Sequence, residues 1–77
     1  MRLRMFTIAG CSRCHAMKSR LNELGLSYEE VYADEPDGLA MAAFHEVMSL
    51  PVLQVLDDRG FCVKRIHRAE DIGDGLM

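Results

Sequence analysis

Residues 3–24 read LRMFTIAGCSRCHAMKSRLNEL, and how this stretch is read decides the fold. Leu3 to Ile8 has the alternating and β-branched character of a strand. Gly10 then supplies a turn. From Ser12 to Leu24, the residues Met17, Leu21 and Leu24 recur at i, i+4 and i+7, the stripe of an amphipathic helix. Gly25 takes the position that ends it. Cys11 and Cys14 therefore stand where a strand hands over to a helix. By residue type alone, Cys11-Ser12-Arg13-Cys14-His15 admits three chemistries: a redox pair, a haem attachment site, or most of a zinc site.

The rest of the chain supplies the context. Leu26 to Tyr32 reads as a second strand. Asp34-Glu35-Pro36-Asp37 is a helix start, with proline near the first helical position and acids against the positive helix end. Leu39, Ala40, Ala43, Phe44 and Val47 are expected to form the core face of that helix. After Pro51, the apolar run Val52 to Leu56 suits a strand buried on both faces. Asp57 to Gly60 reads as a hairpin turn, and Phe61 to Ile66 as the returning strand. Ala69 to Met77 is at best a short helix, weakened by Gly73 and Gly75.

The order is β-α-β-α-β-β-α within one domain spanning residues 1–77. It predicts an α/β fold: a mixed four-stranded sheet with helices on both faces and a short last helix. The first two strands, joined through a helix, should be parallel, and the last two antiparallel. Cys62, within an apolar strand, reads as a small core residue, and the methionines as core filling. His15 should face solvent, and His45 and His67 should lie on the surface.

Composition narrows the class. The chain is 77 residues long, 49% hydrophobic and 27% charged, which is ordinary for a globular domain. Its formal charge of −3 argues against nucleic acid as the main partner. No apolar run approaches the ~20 residues of a membrane span. Arg2 and Arg4 precede a short apolar run ending in Cys11, but that run is shorter than the ~7–15 residues of a signal segment. Together with three cysteines, which form no even framework, this points to a cytoplasmic, reducing setting.

Residues 1–22 carry Arg2, Arg4, Arg13, Lys18 and Arg20 and no acid, whereas residues 21–58 carry only acids. The plain reading is solvated faces. The other is that the end bearing the cysteines is kept electropositive, which favours thiolates and anionic substrates.

The strand–turn–helix setting selects among the three chemistries. A helix N-terminus presents free N–H groups and partial positive charge, which stabilise an anion. A cysteine placed there has a depressed pKa, and the thiolate is the attacking species. Cys11, nearer the turn, should be the exposed nucleophile. Cys14, farther into the helix, should be more buried and act as the resolving thiol. Haem attachment would need export and a mostly helical pocket. A metal- or iron–sulfur-cluster carrier using Cys11, Cys14 and His15 is the rival reading.

On these residues the chain resembles the glutaredoxins and their close relatives in the thioredoxin-like superfamily. Met5 to Cys14 is similar to the family's strand, loop and Cys-x-x-Cys, and Leu24 to Val31 to its second strand. Ser49-Leu50-Pro51-Val52 resembles its Thr-Val-Pro segment. The resemblance implies that Pro51 is cis and faces the cysteines, and that the backbone at Leu50 can hold glutathione. It implies thiol–disulfide exchange on protein disulfides or glutathionyl mixed disulfides. No tightly bound cofactor is expected, and glutathione would be a co-substrate. The likeness extends to glutaredoxin-like redoxins that draw electrons from thioredoxin reductase and serve ribonucleotide reductase.

The chain also departs from the family. Ser12-Arg13 replaces Pro-Tyr between the cysteines. Ile8 stands where a lysine binds the glutathione carboxylate, and Arg13 is the candidate to replace that cation. Ile66-His67-Arg68 occupies the place of a Gly-Gly, while Glu70-Asp71 is similar to the acidic pair that follows it, making Asp71 a further candidate for substrate binding. Slow turnover with glutathione is expected, with a thioredoxin-reductase-type enzyme as the other reductant. The short C-terminus should leave part of the Met17–Leu21–Leu24 stripe uncovered, so weak self-association is expected.

Overall fold

A computed structural model describes residues 2–73. Its elements are β1 (Arg2–Thr7), α1 (Ser12–Glu23), β2 (Glu29–Tyr32), α2 (Pro36–Phe44), β3 (Val52–Leu56), β4 (Cys62–Ile66) and one turn of 3-10 helix at Ala69–Asp71. The strands form a single sheet in the order β2-β1-β3-β4. β1 runs parallel to β2, and β3 is antiparallel to both β1 and β4. The expected α/β architecture is present. The second strand begins three residues later than its sequence pattern suggested, and the last helix is reduced to a single turn.

The alternation of β1 builds two cores. Leu3 and Met5 face α1, where Met17, Leu21, Leu53, Ile66 and Ile72 close around them. Phe6 points to the opposite face and packs with Val31, Val52 and Ala42 of α2. β3 has helices over both sides and is buried at every position, as its unbroken apolar run implied.

Four expectations are corrected. The core face of α2 is Gly38 and Ala42, whereas Leu39 and Phe44 are 61% and 83% exposed and Ala40 and Ala43 also face outward. Val47, beyond the helix end, does pack against the second core. The cause is at Gly38, where an added Cβ would lie 1.7 Å from the Tyr32 carbonyl oxygen. The helix backbone rests directly on the end of β2, and that contact fixes its rotation.

Cys62 is exposed rather than core. It lies on the edge strand β4, away from the β2 side on which α2 packs, and next to an irregularity in the register between Val55 and Leu56. Of β4, only Ile66 is buried.

His45 is half-buried rather than a plain surface residue. Its ring meets Phe6 and Phe44 edge-on, and its Nε2 lies 3.3 Å from Arg4 Nη1. Burial lowers its pKa, and the charges of Arg4 and Arg65 lower it further.

Finally, most of the α1 stripe is covered, with Leu24 half-buried. Met17 and Leu21 are fully buried, and Ile72, just past the 3-10 turn, is buried with them. Arg20 Nε donates to the Ile72 carbonyl at 3.4 Å, tying the turn to α1. Among the described residues, Leu24 is thus the part of the stripe left half-exposed. Residues 74–77, the rest of the expected last helix, lie outside the described residues. Of the methionines, Met5 and Met17 are core, but Met48 is exposed.

Candidate functional site

The turn into α1 is made by Gly10, whose φ of 72° lies in the left-handed region. Cys11 follows in extended conformation as the N-cap of α1. Its Sγ accepts a hydrogen bond from the Cys14 backbone N–H at 3.1 Å, and its carbonyl accepts from the His15 N–H. A cysteine here does the work usually given to Ser, Asp or Asn: it satisfies an N–H that the helix leaves unpaired.

This geometry separates the two thiols electrostatically. Hydrogen bonding from the Cys14 side chain is the main influence holding the Cys11 pKa below its ordinary value. The N–H groups of Cys14 and Arg13 and the Arg13 charge act in the same direction, against partial burial. Cys14 moves the other way: burial pushes it up, and sharing a hydrogen bond with Cys11 adds to the rise. Cys14 is 1% exposed, while Cys11 is half-buried. One sulfur is the more accessible and the more easily ionised, and the other is enclosed and the harder to ionise. Both are free thiols here.

Cys11 opens onto a recess of about 590 Å³ whose lining includes Ile8, His15, Lys18 and Tyr32. His15 and Lys18 follow Cys11 at i+4 and i+7, so one helix face carries all three. Sequence reasoning placed Lys18 only among the basic residues, yet this spacing could have assigned it to the site. Lys18 is tied to Glu30, which raises its pKa, and lies 5.4 Å from the centre of the Tyr32 ring. Thr7 was also missed. It is fully buried at the end of β1, where its hydroxyl donates to the Ile8 carbonyl at 3.5 Å and its proximity partly offsets the upward shift of Cys14.

The other predicted residues lie outside the lining of this recess. Leu50–Pro51 is a cis peptide and Pro51 is buried. The pairing of Phe6 with Val52 puts the Leu50–Pro51 loop at the same end of the sheet as the cysteine loop. Leu50 lines an adjoining apolar recess that shares Ile8 with the cysteine recess. Arg13 is exposed and turns toward a separate recess with His67, Arg68 and Glu70. Asp71 is paired with Arg68, 3.1 Å away. Among the described residues, no three His, Cys, Asp or Glu side chains are grouped so as to hold a metal ion.

The family model for glutaredoxin matches residues 3–61. Among curated protein sequences, none matches the chain. Solved structures similar to it include thioredoxin 1 from the thermophilic eubacterium Thermosipho africanus. That protein shares 25% identity over 88% of this chain and 78% of its own, with a TM-score of 0.68. A second is the glutaredoxin-like NrdH-redoxin from Escherichia coli, at 24% identity over 90% and 84%, with a TM-score of 0.65. A third is a thioredoxin from Plasmodium falciparum, at 17% identity over 91% and 74%, with a TM-score of 0.69.

Proposed function

The chain belongs to the glutaredoxin family of thiol–disulfide oxidoreductases, and we propose that it reduces protein disulfides or glutathionyl mixed disulfides through Cys11 and Cys14. The observation that carries this reading is the division of labour between the two sulfurs: Cys11 capping α1 with a lowered pKa, Cys14 buried with a raised one.

In the first step the Cys11 thiolate attacks one sulfur of the target disulfide. A mixed disulfide forms and the other target sulfur leaves as a thiolate, which takes up a proton from solvent. Once Cys11 is no longer an anion, Cys14 loses its proton and attacks Cys11 Sγ. That releases the second target thiolate and leaves a Cys11–Cys14 disulfide. The target gains two electrons and the protein loses two. Two glutathione molecules or a thioredoxin-reductase-type enzyme would restore the dithiol. Electron delivery to a reductase such as ribonucleotide reductase, in the cytoplasm, belongs to this same reading.

The test is trapping. Cys11→Ser should abolish exchange, and Cys14→Ser should accumulate mixed disulfides that a reductant releases. Turnover that survives Cys11→Ser would overturn the assignment.

A further inference from the structure

Residues 59–68 carry Arg59, Lys64, Arg65 and Arg68 and no acid, in a chain whose formal charge is −3. The structure brings part of this segment to the helix that bears the cysteines. Two recesses share His67 and Arg68. One, of about 280 Å³, reaches Arg13 in the first turn of α1, and the other, of about 480 Å³, runs along β4 to Lys64. Joined at His67 and Arg68, they make a track that extends from Arg13, which stands between the two cysteines in sequence, to Lys64 on the edge strand.

The charges on this track are unequally compensated. Arg68 is more than offset locally, with Glu70 at 3.3 Å and Asp71 at 3.1 Å. Arg13 and Lys64 are both exposed, and neither has a carboxylate partner among the described residues. The two ends of the track are therefore positive, while its middle, one guanidinium against two carboxylates, is not. Between Arg13 and Arg68 the lining residues Ala16 and Ala69 are small.

We propose that this track binds an acidic segment flanking the target disulfide, with one carboxylate at Arg13 and another toward Lys64. The inference rests on the exchange reaction proposed above and names the protein substrates that reaction prefers. Two exposed cations on an otherwise acidic molecule attract a short acidic peptide locally, whereas a long polyanion meets the repulsion of the remaining surface. Such a contact acts mainly on encounter rate and fades with salt.

The experiment is single-turnover reduction of synthetic disulfide-linked peptides by the pre-reduced protein. One peptide carries Glu and Asp beside its cysteine, a second carries Gln and Asn at those positions, and a third carries Lys. At low salt the acidic peptide should react roughly tenfold faster than its amide counterpart, within the range of electrostatic steering. The lysine peptide should be slowest. The advantage should shrink at high salt and in Lys64→Glu, a surface change remote from the thiols, with Lys64→Gln as the milder variant. Equal rates for acidic and amide peptides, or an advantage unchanged in both Lys64 variants, would overturn the inference. Stoichiometric inhibition by a single-stranded oligonucleotide would overturn it in favour of a nucleic-acid surface. Failure to reduce any peptide would instead overturn the exchange reading beneath it.

Discussion

At the residue scale, the order of influences on Cys11 makes a ranking that can be measured. Its lowered pKa depends first on hydrogen bonding from the Cys14 side chain, and the Arg13 charge is the smallest influence among those identified. Below the Cys11 pKa the thiolate fraction falls tenfold per pH unit, so an upward shift in pKa moves the alkylation profile to higher pH. Cys14→Ala removes the side-chain donor and should move that profile clearly upward. Arg13→Ala should move it less. Rates of iodoacetamide labelling at Cys11 across pH 5–9 would check both. Equal shifts, or none in Cys14→Ala, would contradict the assignment of causes.

At the element scale, Gly38 sets how α2 sits. In an exposed helix interior, Gly→Ala stabilises by about 1 kcal/mol. Here the new Cβ would lie 1.7 Å from the Tyr32 carbonyl oxygen, a backbone atom that cannot rotate away. Gly38→Ala should therefore destabilise, by about 1–3 kcal/mol as in other overpacked sites, lowering the urea midpoint with the slope unchanged. Strands β1 and β3, helix α1 and the turn carrying the cysteines were all legible in the sequence, because period and turn chemistry specify them locally. The face of α2 was not. Hydrophobicity points Leu39 and Phe44 inward, while a close backbone approach at a glycine leaves no apolar signature. Cys62 was misread for a related reason: an apolar residue on an edge strand looks the same in sequence as one in the centre of a sheet. The neighbourhood of Cys11 was legible only in part. His15 and Lys18 follow from helical spacing, but the turning of Arg13 toward His67 depends on where the last strand ends.

For the whole molecule, the open matter is the source of electrons. The position expected to hold a lysine for the glutathione carboxylate is Ile8, and Arg13 lines a different recess from Cys11. Losing one charged hydrogen bond costs about 1.5–3 kcal/mol, or roughly tenfold to a hundredfold in affinity. Turnover coupled to glutathione should consequently be slower than turnover coupled to a thioredoxin-reductase-type enzyme on the same disulfide. A side-by-side assay of the two systems checks this, and faster turnover with glutathione, unaffected by Arg13→Ala, would reverse it.

The sulfur of Cys11 also caps α1, so it belongs to the helix as well as to the proposed reaction. If it enters a covalent bond, the helix loses an acceptor able to carry negative charge and keeps a weaker neutral one at its first turn. The Cys14 amide proton is then held less tightly and should exchange with solvent sooner. One backbone amide would thus report on the proposed exchange, readable without any label on the sulfur itself.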